Sequence, residues 1–222
     1  MNLLSDILEF NSNVEFFNFS EYLPNQNIEA EFSSFDQKKM IEKALSIRRL
    51  GFSFWESLVS IYTIDESAPI EFINKALHHN PSGRIISFSS SDQDKIIDFI
   101  SANNDKNISL RSNVGISNGL DLHIPMIDFH ITPGKHSEKI IETIIYTLGI
   151  NPGYLINSGK SYHYLSTFLL PKEKLMNILV KLILLSPIVD RNWLVHQILE
   201  GSCSLRMTKA NKIDLDLVRK IQ

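Results

Sequence analysis

Two polar side chains on one predicted strand, Asp128 and His130, are the first candidates for chemistry. They lie two positions apart in the segment Leu120 to Ile131, where polar and apolar residues alternate, so both side chains emerge from the same face of a strand. A carboxylate and an imidazole that share one face can hold a divalent metal ion. The alternative is an ordinary exposed polar face of an edge strand, which antiparallel sheets often have.

The short polar turn within residues 157–164 is a second candidate site. It contains Ser158, Lys160 and Ser161, and His163 follows on the next predicted strand. The backbone N–H groups of such a turn, together with a lysine and a histidine, can cradle a triphosphate. The alternative is an ordinary hairpin turn without a ligand.

The tripeptide Gly159-Lys160-Ser161 looks like the end of a P-loop, but its surroundings exclude that class of protein. A P-loop would require glycine at position 154, where this chain has Tyr154, and Gly153 is one place too far away. The residues after the turn are typical of a strand, whereas a P-loop begins a helix. The sequence therefore excludes a P-loop kinase or ATPase.

A third candidate group begins with Asp190, which follows a hydrophobic run and precedes a predicted helix. Its carboxylate would give a metal ion a second acidic ligand, and Arg206 and Lys209, near the last predicted strand, would contact phosphate. The alternative role of Asp190 is to cap the amino terminus of the helix that starts at Arg191.

Alternating strands and helices must position these side chains, and they predict an α+β (α/β) fold. We expect two parts, a helix-rich amino-terminal section over residues 1–80 and a core over residues 81–222. In the core, the predicted strands are 84–88, 120–131, 154–157, 162–170 and 202–208, and the predicted helices are 89–104, 136–148, 171–185 and 191–199. In the amino-terminal section, helices are predicted at 34–51, 52–62 and 68–79. The segment 120–131 is either one long strand or a strand pair bent at Pro125.

The composition limits the classes of function. The formal net charge is −3, so any nucleic-acid site must be a local basic patch. The single cysteine, Cys203, excludes a disulfide framework or a cysteine zinc cluster within one chain. The first residues lack the basic region of a secretory signal, and no apolar stretch is long enough to span a bilayer. We therefore expect a soluble cytoplasmic protein that does not act in a membrane.

The order of these motifs resembles the archaeo-eukaryotic primase superfamily, which includes the primase-polymerases. That family has a DxD or DxE pair on a strand, an SxH on a later strand, a third acidic residue after a hydrophobic run, and a basic residue beyond it. Here the series is Asp128-x-His130, Ser161-x-His163, Asp190 and Arg206. The resemblance covers residues 84–212, and the segment 189–212 is also similar to small bacterial primase-like proteins. It implies a primase-type core of mixed sheets with flanking helices.

The resemblance also implies residue roles and a metal cofactor. The metal ligands that it implies are Asp128, His130 and Asp190, and the two aspartates would be catalytic. The nucleotide-binding residues that it implies are Ser158, Lys160, Ser161, His163, Arg206 and Lys209. His130 stands where the family has a second carboxylate, and imidazole suits Mn²⁺ better than Mg²⁺. Asp121 would supply a further carboxylate only if it folds into the same site.

Two functions follow from the resemblance. The first is a primase-polymerase-like nucleotidyltransferase that uses a nucleoside triphosphate and a divalent metal, Mn²⁺ or Mg²⁺, with single-stranded nucleic acid as a partner. The second is a catalytically degenerate module that binds nucleotide or nucleic acid in a defence or mobile-element system. A third hypothesis, chance motifs in an interaction protein, assigns a protein partner to the amino-terminal helices around Phe52, Phe54 and Trp55, for which core packing is the alternative.

Overall fold

The computed structural model describes residues 3–22, 35–49, 54–63, 65, 70–78, 84–117, 119–208 and 216–222. The chain divides into two compact units, one made of Met1–Tyr22 with Gly83–Gln222, and the other of Leu23–Ser82. The strands are β1 (Val14–Tyr22), β2 (Arg84–Ser89), β3 (Asn107–Ile116), β4 (Leu122–His123), β5 (Met126–Asp128), β6 (Gly153–Asn157), β7 (Tyr162–Ser166), β8 (Leu170–Pro171), β9 (Ser204–Arg206) and β10 (Asp216–Ile221). The helices are α1 (Leu3–Phe10), α2 (Phe35–Arg48), α3 (Phe54–Ser60), α4 (Glu71–His78), α5 (Gln93–Ala102), α6 (Lys135–Leu148), α7 (Lys172–Leu182) and α8 (Arg191–Glu200). The predicted α+β fold is confirmed.

A six-stranded sheet forms the larger layer of the core unit. Its order is β2-β1-β3-β4-β8, and β9 pairs with another part of β3. Phe17 and Phe19 of β1 are fully buried, and the Phe19 ring meets Phe88 of β2 edge-on at 5.8 Å. Phe88 in turn lies 5.0 Å from Phe99 of α5, so this helix covers the apolar face of the sheet. Burial of these aromatic rings is the main force that holds the layer together.

The boundary between the two units differs from the sequence prediction, which assigns residues 1–80 to one section, because β1 belongs to the core. Residues 14–22 lie between β2 and β3 and form antiparallel ladders with both. They therefore belong to the core, and the separate helical unit spans Leu23–Ser82. The reason is physical, since a strand paired on both sides satisfies its backbone hydrogen bonds only inside that sheet.

A four-stranded sheet with the order β10-β6-β7-β5 forms the second layer. Gly153 of β6 is held so closely that a Cβ there would lie 2.3 Å from the Tyr164 hydroxyl of β7. The predicted segment 120–131 is a strand pair, because β4 joins the larger sheet and β5 joins the smaller one on either side of Pro125. This division separates Asp121 from Asp128.

The helical unit has its own apolar cluster. Its buried members come from α2, α3, α4 and a short 3₁₀ turn, and they are Met40, Ile41, Ala44, Leu58, Ile61 and Phe72. Trp55 packs against this cluster, while Phe52 and the Phe54 side chain lie outside the described part of the chain. Every helix among the described residues is too short or too polar to cross a membrane.

Candidate functional site

A row of three polar residues crosses the edge of the smaller sheet. Asp128 of β5 is the register partner of His163 of β7. On the other side, the backbone N–H of Asp190 donates to the carbonyl of Asp128 at 3.0 Å. We call Asp190, Asp128 and His163 the catalytic row, because the family resemblance implies a catalytic role for its two aspartates. Because register partners lie side by side on one face of a sheet, three segments far apart in the chain bring these side chains together.

The apolar neighbours of the catalytic row determine which way it faces. Phe129 and Val189 form an isolated antiparallel bridge, and both are buried in the core. Residues on either side of a bridge point to the opposite face. Asp128, His130 and Asp190 therefore lie on the face away from that core contact, as the alternation in the sequence predicts.

Asp128 faces His163 within the catalytic row. The His163 Nε2 atom lies 3.5 Å from the Asp128 Oδ1 atom, and the side chains are 7% and 27% exposed, respectively. The His163 imidazole is therefore shielded from solvent, and the Asp128 carboxylate beside it is the more accessible of the two groups. In this arrangement His163 is placed to orient the Asp128 carboxylate.

Asp190 serves the local fold as well as the row. Its Oδ1 atom accepts a hydrogen bond from the Trp193 N–H at 2.9 Å, which caps α8. Its Oδ2 atom lies 3.8 Å from Nδ1 of His130, whose side chain is 70% exposed. The cap that the sequence offered as an alternative is therefore present, and one carboxylate oxygen still faces the exposed imidazole.

The turn between β6 and β7 is fixed by its own hydrogen bonds and by an arginine from β9. The Asn157 side-chain oxygen accepts from the Gly159 N–H at 2.8 Å, and Gly159 has a φ of 101°, a left-handed value that favours glycine. Arg206 Nη2 donates to the Ser158 carbonyl at 3.2 Å and Nη1 donates to the Thr208 carbonyl. Arg206 therefore anchors the predicted nucleotide-binding turn to β9.

Ser161 is tied to the strand that carries Asp128. Its hydroxyl donates to the Phe129 carbonyl and accepts from the Ile131 N–H at 3.1 Å. A serine hydroxyl has one proton to donate, so in this conformation Ser161 has none for a phosphate. This differs from the phosphate contact that the family resemblance implies, because the hydroxyl joins two backbone segments.

The remaining predicted residues have separate locations. Lys160 is exposed on the turn, and Lys209 lies outside the described residues. Asp121 has a different partner, since its Oδ1 atom accepts a hydrogen bond from Nε2 of buried His123 at 2.9 Å. The other imidazole nitrogen, Nδ1, lies 2.9 Å from the Ser112 hydroxyl. Burial lowers the pKa of His123, although Asp121 opposes the shift. Because β4 and β5 belong to different sheets, Asp121, which precedes β4, is not part of the catalytic row.

Tyr162 is a residue near the site that the sequence reasoning did not identify. Its hydroxyl accepts from the Gly134 N–H at 2.8 Å and donates to Glu138 Oε1 at 3.2 Å. Burial is the main cause that raises the pKa of Tyr162. This phenol attaches the start of α6 to β7, and a buried tyrosine at the start of a strand gives no sequence signal for that contact.

The predicted metal ligands do not converge in this conformation. Among the described residues, no group of three or more His, Cys, Asp or Glu side chains comes close enough together to hold a metal ion. Instead, Asp128 pairs with His163 and Asp190 pairs with His130. The donor set still fits a divalent ion in part, because neighbouring backbones carry two carboxylates whose oxygens are the hard ligands that Mg²⁺ and Mn²⁺ accept.

Comparison with known proteins identifies a family for this arrangement. No curated protein and no solved structure gives a significant match to the chain. The model of the AEP-like family, described as archaeo-eukaryotic primase 1D-like, matches residues 88–218, which is more than half of the chain and contains every member of the catalytic row. The chain therefore belongs to the archaeo-eukaryotic primase 1D-like family.

Proposed function

We propose that the chain is a primase-like nucleotidyltransferase that binds a nucleoside triphosphate with a divalent metal, Mn²⁺ or Mg²⁺, at the catalytic row. The observation that carries this proposal is the cross-strand placement of Asp190 beside Asp128. Two carboxylates on one face of a sheet edge can hold a divalent metal ion for phosphoryl chemistry. Membership of a primase family supports the same substrate class.

In this proposal each residue has a defined task. Asp128 and Asp190 would hold the metal, with His130 as a third ligand after its exposed side chain turns. A divalent ion bound there would neutralise the triphosphate and polarise its α-phosphate. His163 would keep the Asp128 carboxylate oriented through their 3.5 Å contact.

The phosphates would lie along the turn between β6 and β7. Lys160 is the exposed cation of that turn, and Arg206 holds the turn in place through the Ser158 carbonyl. In the reaction, the 3′-oxygen of a nucleic-acid strand would form a bond to the α-phosphorus, and the bond to the bridging oxygen of the β-phosphate would break. Pyrophosphate would leave, and the hydroxyl proton would pass to water.

A second candidate function is nucleotide or nucleic-acid binding without synthesis, as a module of a defence or mobile-element system. The observation that favours it is the pairing of His130 with Asp190, at the position where the family has a second carboxylate. With one carboxylate fewer, two metal ions would share only two acidic ligands, and the two-metal arrangement would be weakened. Both functions require binding at the catalytic row, and only the first requires strand extension.

Binding is tested first, with Asp128→Asn and the matched control Asp98→Asn, an exposed aspartate on α5. Calorimetric titration with a nucleoside triphosphate and Mn²⁺ should show at least a tenfold loss of affinity in Asp128→Asn, since one charge of the metal site disappears. Asp98→Asn should bind like the unmodified chain. Equal affinity in all three proteins would refute the site.

Primer extension with Mn²⁺ then separates the two functions. Extension that is abolished by Asp128→Asn supports the transferase, whereas binding without extension supports the second function. His130→Asp restores the carboxylate that the family pattern contains, so it should raise extension or permit it with Mg²⁺. An unchanged metal preference would show that His130 does not occupy the metal position.

A further inference from the structure

Four cationic side chains of the helical unit have no ion-pair partner among the described residues. Lys38, Lys39, Arg48 and Arg49 are exposed, and none of them forms an ion pair or side-chain hydrogen bond with a described residue. Lys38 and Lys39 lie in the first turns of α2, and Arg48 and Arg49 lie at its end. We call these four residues the α2 basic face, in which Lys38 and Arg49 lie nearly in line along the helix, with Lys39 to one side of that line and Arg48 to the other.

The neighbouring charges show that this excess is local. Lys43, also on α2, is neutralised by Asp65 at 2.5 Å and does not count toward the excess. The sequence of α2 contains two acidic residues, Asp36 and Glu42, against these four cations. The helix thus keeps an unbalanced positive charge, although the whole chain has a formal net charge of −3. Because the net charge is negative, any nucleic-acid site in this chain must be a local basic patch of this kind.

Spacing and packing determine the kind of partner. Lys38 and Arg49 lie about three helical turns apart, or roughly 16 Å along the helix axis, which spans several consecutive phosphates of one strand, since a strand of a duplex advances about 3.4 Å per phosphate along the duplex axis. The apolar side of α2 is already used, because Met40, Ile41 and Ala44 are buried in the cluster of the helical unit. A helix that binds a membrane surface needs an exposed apolar face, and no large apolar side chain is exposed among the described side chains of α2.

We propose that the α2 basic face binds the phosphate backbone of nucleic acid, as a surface separate from the nucleotide site of the core. This inference does not rest on the proposed function, because its residues all lie outside the catalytic row. Contacts to phosphate carry no sequence information, so binding would be independent of sequence and strongly dependent on salt.

The test compares two full-length variants of equal charge. One carries Lys38→Gln, Lys39→Gln, Arg48→Gln and Arg49→Gln, and the control carries Arg84→Gln, Lys139→Gln, Lys174→Gln and Lys181→Gln, all exposed positions of the core. Each variant changes the formal net charge by the same amount. Fluorescence anisotropy with a labelled single-stranded oligonucleotide of mixed sequence is measured between 50 and 200 mM salt. Over this range of salt, the loss of roughly four phosphate contacts changes the affinity measurably.

We expect the α2 variant to lose at least tenfold in affinity at low salt, and the slope of log affinity against log salt to fall by about three. The control should keep both within twofold. Equal losses in the two variants, or no loss in the α2 variant, would overturn the proposal. So would α2-dependent binding to phosphatidylserine vesicles or polyglutamate without binding to the oligonucleotide. Far-ultraviolet circular dichroism of both variants checks that α2 remains helical.

Nucleotide titration of the α2 variant keeps this proposal separate from the first one. Its affinity for a nucleoside triphosphate should equal that of the unmodified chain, because the catalytic row is intact. A result in which the α2 variant loses both ligands would show that the two surfaces are not independent, and would contradict the present proposal.

Discussion

The Ser161 hydroxyl joins two backbone segments, so its removal should destabilise the core. Ser161→Ala leaves the Ile131 N–H and the Phe129 carbonyl without their partner, and we expect a loss of about 1–3 kcal/mol in the free energy of unfolding. Ser158→Ala is the control, since the Ser158 hydroxyl forms no hydrogen bond with a described residue, and it should change stability by less than about 0.5 kcal/mol. Urea denaturation measures both.

A different outcome would restore the role that the family resemblance gave to Ser161. If Ser161→Ala unfolds at the same urea concentration as the unmodified chain but loses nucleotide affinity, the hydroxyl contacts phosphate in the bound state. Loss of stability with normal nucleotide affinity, after correction for the unfolded fraction, supports the positioning role.

The residues of the catalytic row and Ser161 show how much of the site the sequence predicts at the residue scale. Asp128 and His130 were assigned to one face from their spacing alone, and the pairing of Phe129 with Val189 agrees. That Asp190 would join them depended on the order of motifs, because spacing says nothing about segments about 60 residues apart in the chain. The hydrogen bonds of Ser161 had no sequence signal, since a serine near a turn is equally suited to a ligand and to a backbone contact.

At the scale of elements, Asp190 has two roles that a pair of substitutions can separate. Asp190→Ala removes the cap of α8 and the charge, and should lower the free energy of unfolding by about 1 kcal/mol. Asp190→Asn keeps an oxygen for the Trp193 N–H, since asparagine caps helices as well as aspartate does, and it removes only the charge. We expect Asp190→Asn to unfold like the unmodified chain but to bind Mn²⁺ with the nucleotide at least tenfold more weakly.

Thermal unfolding and calorimetric titration of both variants make this measurement. If Asp190→Asn binds nucleotide and Mn²⁺ normally, Asp190 is only a helix cap, and the catalytic row loses one of its two carboxylates. If Asp190→Asn is as destabilised as Asp190→Ala, the charge itself supports the helix terminus through the dipole of α8.

Regular elements were predictable and irregular ones were not. Helix α6 was expected at 136–148 and spans Lys135–Leu148, because its apolar residues recur at helical spacing and Gly149 ends it. Strands β1 and β3 were missed. Their pairing shifts register between Phe17 and Phe19. Burial in β3 still alternates from Leu110 to Ile116, but the buried Ser112 stands where an apolar residue would mark the strand. Long-range partners stabilise the register shift, since the Arg111 guanidinium donates to hydroxyls of Ser20 and Ser202.

At the scale of the whole molecule, the helical unit is an insertion between two paired strands. Glu21 of β1 and Arg84 of β2 are register partners, so the chain leaves and re-enters the core at neighbouring positions. Two adjacent antiparallel strand ends can be joined by a short turn. The matched family region, residues 88–218, includes neither β1 nor the helical unit, although β1 is buried in the core sheet.

This connectivity predicts opposite results for two deletions. Replacing Leu23–Ser82 with a short Asn-Gly turn should leave a core that unfolds cooperatively and binds nucleotide, because both ends of the hairpin already pair. Removing residues 1–22 should prevent folding, because Phe17 and Phe19 leave a cavity and β2 and β3 lose their shared partner. Circular dichroism melting and size-exclusion chromatography measure both outcomes.

The deletion of Leu23–Ser82 also tests whether the nucleotide and the oligonucleotide bind to different surfaces. If it keeps nucleotide affinity and loses the salt-dependent affinity for the oligonucleotide, the core binds nucleotide and the α2 basic face binds the strand. If it keeps the oligonucleotide, the strand binds to the core, and the charges on α2 are only a solvated surface. If it fails to fold while the removal of residues 1–22 is tolerated, the division of the chain at Tyr22 and Gly83 is wrong, and the helical unit supports the sheet that carries the catalytic row.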